Sequence, residues 1–301
     1  MQAPVVLFVY NRLDHTMNVI ESLSRNLLAK ETDVFVFSDA AKAENGQEKV
    51  EEVRNYIRQE DWRGNFRNVT IIEAEKNKGL AKSIIGGVTE ILKQYGKAIV
   101  VEDDLVLSPY FLQYMNGALD YYKDVENIWS ISGYSFPMKS LKKYAHDVFY
   151  SYRGCSWGWA TWLDRWEKTD WEVKDYSALM EDKTWQKRFN RGGADLTGML
   201  GMQMEGKINS WAIRWVFAQS NLEMYTVYPK QSYVLNDGCD GSGTHVGNTD
   251  EYQTNIENDV VNCRFEKLQI EPAIAREFWC KYSDTLDKKI KRNLKKLFKG
   301  L

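Results

Sequence analysis

The chain of 301 residues carries 40 Lys and Arg against 42 Asp and Glu, with 44% hydrophobic and 27% charged residues, the balance of an ordinary soluble globular protein with ample length for one large or two small α/β domains. A formal net charge of −2 argues against a nucleic-acid binder, which normally shows a basic face, and Cys155, Cys239, Cys263 and Cys280, with no CxxC spacing, argue against a zinc site or disulfide scaffold. The apolar run at 4–9 is too short for a signal-peptide core or a bilayer span, so a cytoplasmic location is expected.

Residues 4–9 read as a buried first strand, followed by Tyr10-Asn11-Arg12 and a helix over 15–28 whose apolar positions Met17, Ile20, Leu23 and Leu27 recur at helical spacing. A second strand at 33–37 ends in Ser38-Asp39, 48–58 is helical, and 68–72 is a third strand. Asn77-Lys78-Gly79 then opens a helix through Leu92. Next comes a short run rich in β-branched residues, 98–101, of the kind buried on both faces of a sheet. It stops on Glu102, Asp103 and Asp104. Four alternations of strand and helix predict a mostly parallel sheet with helices on both faces, and in such sheets ligands bind beyond the carboxyl ends of the strands. Asn11, Arg12, Asp39 and the three acids all fall there.

Three carboxylates ending a buried strand repel one another and lose hydration unless a cation, a donor array or water meets them. A divalent cation satisfies that need economically, and an oxygen-only ligand set suits Mg²⁺ or Mn²⁺. The chain has neither a GxGxxG nor a GxxxxGK[ST] sequence, which counts against a dinucleotide enzyme or a P-loop ATPase. Any diphosphate must therefore be held by metal and side chains.

The second half is punctuated by SISGYSFP at 130–137, GCSWGWATW at 154–162, FNRGGADLTGML at 189–200, NSWAIRW at 209–215 and NDGCDGSGTH at 236–245. Gly133, Gly154 and Gly158 permit close backbone approach, and Trp157, Trp159, Trp162 and Trp211 offer flat faces to a sugar or else pack in the core, which is expected of at least half of them. His15 is expected at the start of the first helix and His146 on a polar turn, which leaves His245, after a glycine-rich run, as the histidine with a site role. The first 280 residues hold 32 basic and 40 acidic residues, and the remainder eight basic and two acidic. In that remainder, residues 287–301 form a basic amphipathic pattern with Ile290, Leu294, Leu297, Phe298 and Leu301 on one stripe. Such a helix can lie in an anionic leaflet or pack on the acidic body of its own domain.

VVLFVYNR at 5–12, VFSDAAK at 36–42, NKGLAKS at 77–83 and VVEDDLVLSP at 100–109, taken in this order, resemble the nucleotide-sugar half of a GT-A glycosyltransferase. The resemblance is closest to bacterial family-two-like transferases, and more distant to the Golgi N-acetylglucosaminyltransferase whose metal motif is also Glu-Asp-Asp. The later motifs resemble the acceptor half of the same bacterial enzymes, so the likeness covers about residues 3–248. It implies a GT-A (Rossmann-like) α/β fold with a mixed, mostly parallel sheet: a nucleotide-sugar half at 1–110, an acceptor half of the same domain at 111–270, and a basic helical tail at 271–301.

By the same resemblance Tyr10, Asn11 and Arg12 border the nucleotide, Asp39 binds base or ribose, and Lys82 lies near base or phosphates. Asp104 is the direct ligand of Mn²⁺ or Mg²⁺, Asp103 and Glu102 meet ribose or donor sugar, and His245 comes to the metal or diphosphate. Trp157, Trp159 and Trp211 are the acceptor platforms. The expected function is transfer of a hexosyl or N-acetylhexosaminyl group from a nucleoside-diphosphate sugar, UDP-sugar foremost, to a saccharide or lipid-linked saccharide in surface polysaccharide or lipopolysaccharide synthesis. An inverting enzyme needs a carboxylate base. The chain departs from the Golgi relative here: that enzyme has an acidic pair before a Trp, and this chain has Asn209-Ser210-Trp211. Asp240 and Asp195 are the substitutes. A sugar nucleotidyltransferase and a non-catalytic carbohydrate-binding relative are the rivals; the first would show a Gly-rich basic loop where Tyr10-Asn11-Arg12-Leu13 stands.

Overall fold

The computed structural model describes residues 1–238, 254–256, 258 and 262–283. The expected site residues Asp240 and His245, and the basic stripe at 287–301, lie outside the described residues.

The first hundred residues build β1 (Val5–Val9), α1 (Leu13–Ser24), β2 (Asp33–Ser38), α2 (Gln47–Ile57), β3 (Asn68–Glu73), α3 (Leu80–Tyr95) and β4 (Lys97–Glu102). β5 (Leu105–Leu107), α4 (Phe111–Tyr122), β6 (Ile128–Ser132), β7 (Val148–Ser151), β8 (Trp159–Trp162) and α5 (Leu163–Trp166) follow. A helical segment of α6 (Tyr176–Glu181), α7 (Lys183–Phe189), α8 (Leu196–Met204) and α9 (Trp211–Asn221) precedes β9 (Tyr225–Pro229), β10 (Val234–Asn236) and α10 (Pro272–Lys281). Eight strands form one mixed, mostly parallel sheet in the order β3-β2-β1-β4-β8-β6-β9-β7, flanked by helices as expected. β1 to β4 are mutually parallel, β8 runs against both β4 and β6, and β7 runs against β9. β5 and β10 make a separate antiparallel ribbon.

The central strands are apolar throughout because both faces are covered. β1 sends Val5, Leu7 and Val9 to one core and Val6 and Phe8 to the other, and β4 divides Ile99 and Val101 from Ala98 and Val100 in the same way. α1, α2, α4 and α10 cover the first face, while α3, α5 and α9 cover the second. Gly87 of α3 allows the close approach this needs, since a Cβ there would stand 3.1 Å from the rings of Phe8 and Phe37. The first core is continuous from Ala3 to Phe278. α10 packs on this core: Ile274 and Phe278 are buried, and Glu277 accepts from Lys139 N and Ser140 N at 2.7 and 2.8 Å.

α1 is shorter than its apolar spacing predicts, and its buried face is Val19, Ile20 and Leu23, with Met17 and Leu27 exposed. The reason is Asn26. It turns inward, accepts from Leu112 N at 2.9 Å and donates to Ser22 O at 3.0 Å, which ends the helix.

Trp159 and Trp211, expected as acceptor platforms, are core residues. Their rings stack at 4.9 Å within a cluster that includes Trp129, Trp166, Trp171 and Trp215, and their relative exposures are 0% and 4%. Trp159 is buried because β8 is an interior strand, where it pairs with Val100 on one side and Ser132 on the other, and Trp211 of α9 packs into the same core. Trp162 is buried in the opposite core. Trp157, on the loop before β8, is half-buried and meets Tyr134 edge-on at 4.7 Å. Trp159→Ala is expected to lower unfolding free energy by about 3–5 kcal/mol in urea titration, the usual cost of emptying a buried aromatic site; an acceptor platform would instead leave stability unchanged.

Candidate active site

Sheet register assembles the site. Phe8 of β1 lies level with Phe37 of β2 and with Glu102 of β4, so the residues leaving these three strands emerge side by side at one edge. Arg12, just past β1, has extended backbone (φ −121°, ψ 90°), and its carbonyl accepts from Thr16 N at 3.0 Å and Thr16 Oγ1 at 2.8 Å. That anchoring leaves the guanidinium directed across to β4. Nη2 donates to Asp103 Oδ1 and to Asp104 Oδ2, the latter at 3.0 Å. Asp103 is 6% exposed, yet its Oδ2 has no hydrogen-bond partner, and neither has the buried Nη1 of Arg12.

Two of the three carboxylates thus meet one guanidinium. Burial, reinforced by the charges of Asp104 and Asp103, holds the Glu102 carboxyl well above the usual range. Burial also raises Asp103, against the pull of Arg12. The site retains an unmet demand for positive charge at the acids and an unmet donor at Arg12.

The β5–β10 ribbon closes the site from the far end of the sequence. Asn236 pairs with Leu105, Asp237 N donates to the Asp104 carbonyl at 2.8 Å, and Gly238 N is held by Asn236 Oδ1 at 2.9 Å. A Cβ at Gly238 would stand 2.5 Å from Asp104 Oδ2, so only glycine permits this approach. His15, expected merely at the start of the first helix, also faces the site: its Nδ1 lies 3.6 Å from Asp237 Oδ2, and its side chain is 13% exposed. Sequence reading missed the Asp237–His15 pairing, because the contact spans 222 positions and depends on two three-residue strands, Leu105–Leu107 and Val234–Asn236, finding each other.

Two of the remaining expected residues, Tyr10 and Asp39, hold loops. Tyr10 accepts from Lys42 N at 3.2 Å through its hydroxyl. Asp39 takes N–H groups from Ala40, Lys78 and Gly79 and the amide of Asn77, all between 2.8 and 3.2 Å. It therefore brackets the loop that opens α3, where Gly79 adopts φ +74°. Asn11 is half-buried at the strand end and Lys82 is exposed on the first turn of α3. Among the described residues, Asp195 hydrogen-bonds away from the strand-end cluster. It forms a two-pronged pair with Arg153 at 2.8 and 2.9 Å, and the Arg153 guanidinium lies 3.9 Å over the Tyr282 ring. Ser210, in the position where an acid was missed, caps α9 by accepting from Ile213 N at 3.3 Å.

Among the described residues no three His, Cys, Asp or Glu side chains converge as a metal cage. The hard carboxylate oxygens of Asp104, with the unpartnered Asp103 Oδ2 beside them, fit a cation that takes one or two carboxylates and completes its shell with phosphates and water, the habit of Mg²⁺. No helix among the described residues is long and apolar enough to cross a membrane.

No family profile matches the chain, and no curated protein sequence matches it. Among solved structures, S. aureus TarS residues 1–349 in complex with UDP is similar over 78% of this chain and 60% of that one, at 14% identity and a TM-score of 0.39. A second S. aureus TarS structure is similar over 41% of this chain and 20% of that one, at 20% identity and a TM-score of 0.29. The likeness spans less than two thirds of either TarS chain, and at these scores it carries no assignment of substrate or activity.

Asp39→Ala is expected to destabilise the fold by about 1–3 kcal/mol, because it leaves partly buried N–H groups without their acceptor. Thermal unfolding without ligand measures this; a carboxylate reserved for a nucleotide would give no change.

Proposed function

We propose that this protein is a metal-dependent glycosyltransferase that moves a sugar from a nucleoside-diphosphate sugar, a UDP-sugar foremost, to a saccharide acceptor. The observation that carries this is the strand-end cluster itself. Asp103, Asp104 and Arg12 meet at the carboxyl edge of a doubly wound sheet with one buried carboxylate oxygen and one buried guanidinium nitrogen unpartnered. A ligand bearing both phosphate oxygens and a divalent cation would satisfy both.

In the transfer the bond between the sugar's anomeric carbon and the diphosphate oxygen breaks, an acceptor hydroxyl oxygen bonds to that carbon, and its proton passes to a base. Negative charge grows on the departing diphosphate. Asp104 would hold Mn²⁺ or Mg²⁺, which would supply charge neutralisation there. Arg12, part-exposed at the strand ends, offers its guanidinium to the same phosphates, and the burial of Asp103 and Glu102 excludes water from their side. Asp39 and Tyr10 hold the two loops that wall the nucleotide.

Of the two carboxylates expected as base, Asp195 has both oxygens engaged by Arg153 at 2.8 and 2.9 Å. The other, Asp240, lies outside the described residues and remains the proposed base. A non-catalytic binding relative is the second reading, favoured by the pairing of Asp195 and the capping role of Ser210, and donor hydrolysis separates the two.

With Mn²⁺ and a panel of nucleotide sugars, the wild type is expected to release nucleoside diphosphate from one donor. Asp104→Ala abolishes metal-dependent donor binding, and Asp104→Asn keeps the fold with most activity gone. Nucleotide affinity in Asp104→Ala that responds to Mn²⁺ as in the wild type would refute the metal role. Asp240→Asn is expected to lower transfer by about 10²-fold or more with donor binding near normal, the range for loss of a general base. Asp195→Asn is expected to act mainly on stability, and the reverse pattern in rates would reassign the base.

A further inference from the structure

Arg12 occupies the carboxylates that the proposed cation needs. Its Nη2 bonds both Asp103 Oδ1 and Asp104 Oδ2, and side-chain exposures of 21%, 8% and 19% for Arg12, Asp103 and Asp104 mean that water screens the three charges poorly. A divalent ion on Asp104 would therefore sit within a few ångströms of a guanidinium. Like charges at that range repel, and the ion would also have to take an acceptor from Arg12.

We infer that Arg12 makes cation binding at Asp104 depend on the diphosphate. Without a nucleotide, Arg12 is the resident counter-ion of the two aspartates and opposes the metal. A diphosphate accepts from Arg12, draws its charge off the aspartates and admits the ion, so metal and nucleotide bind with positive coupling that is reciprocal by linkage. The buried, unpartnered Nη1 of Arg12 is a second donor for that exchange once the side chain turns outward. Its anchored backbone, tied through its carbonyl to Thr16, lets the side chain move without disturbing α1. This rests on the metal reading above, and identifies Arg12 as the residue that sets the order of assembly.

The test is Mn²⁺ binding followed by paramagnetic resonance, with no sugar donor and no turnover, on the full chain alone and with UDP, GDP or dTDP. Arg12→Gln is expected to bind Mn²⁺ alone about tenfold more tightly than the wild type, within the ordinary span of site coupling, and to lose most of the gain that the nucleotide confers. Arg12→Lys, which keeps the charge but not the fork, falls between the two and remains informative if the Gln variant folds poorly. Adding Asp104→Asn to Arg12→Gln abolishes the gain. Equal Mn²⁺ affinity in wild type and both Arg12 variants overturns the inference but leaves the metal site standing. A tight Mn²⁺ signal that survives Asp104→Asn places the ion elsewhere and overturns it too. No Mn²⁺ binding by any form, with or without nucleotide, removes the metal reading itself.

Discussion

The interaction on which the site depends is the pairing of Arg12 with Asp103 and Asp104. It joins the end of β1 to the end of β4 at the centre of the sheet, where neither backbone nor solvent could neutralise three successive acids. Pairs of this kind are weak contributors to net stability, because dehydration of the charges offsets their attraction. Removing one partner is a different matter, since it leaves the others buried and unmatched. The site is thus held by mutual need, and the unmet Asp103 Oδ2 and Arg12 Nη1 show that the need is only partly answered within the protein.

The scaffold around that pair is rigid on both faces. Alternation along β1 and β4 commits each residue to one of two cores, so a one-residue slip would invert both cores at once. The antiparallel β8, inserted between β4 and β6, carries Trp159 into the second core against Trp211, Trp166 and Trp215. Four large rings on one sheet face fix the position of α9 and leave Trp157, one residue before the positive-φ Gly158, as the tryptophan of that stretch with substantial exposure. The mass of aromatic side chains in the second half thus serves mainly to assemble the domain. Arg153 performs a related task, binding Asp195 at the start of α8 and the Tyr282 ring after α10, and so tying the last described helix to the helical segment.

The order of elements through β4 was legible because each is short, locally periodic and joined to the next by a short connection, so strand and helix announce themselves without long-range information. The acids at 102–104 and the basic residue at 12 were legible for the same reason: the carboxyl ends of parallel strands share one edge. What those side chains do there was not. Whether Asp39 meets a ribose or three backbone N–H groups depends on where the loop from Asn77 to Gly79 returns. Whether Asp195 is a free base or an ion-pair partner depends on Arg153, 42 residues earlier.

By itself, then, the sequence determined a doubly wound α/β sheet, its central strands and the cluster of charge at their ends, because periodicity and apolar runs act over a few residues. Only the tertiary structure decided the partners: Arg12 on Asp103 and Asp104, Asp237 and Gly238 folded back on Asp104, His15 beside Asp237, and Trp159 and Trp211 stacked inside the core. These contacts join residues 52 to 222 positions apart. A tryptophan or a carboxylate has the same local pattern whether it meets water, a ligand or another side chain; strand register and packing decide which, and these exist only once the chain has closed on itself.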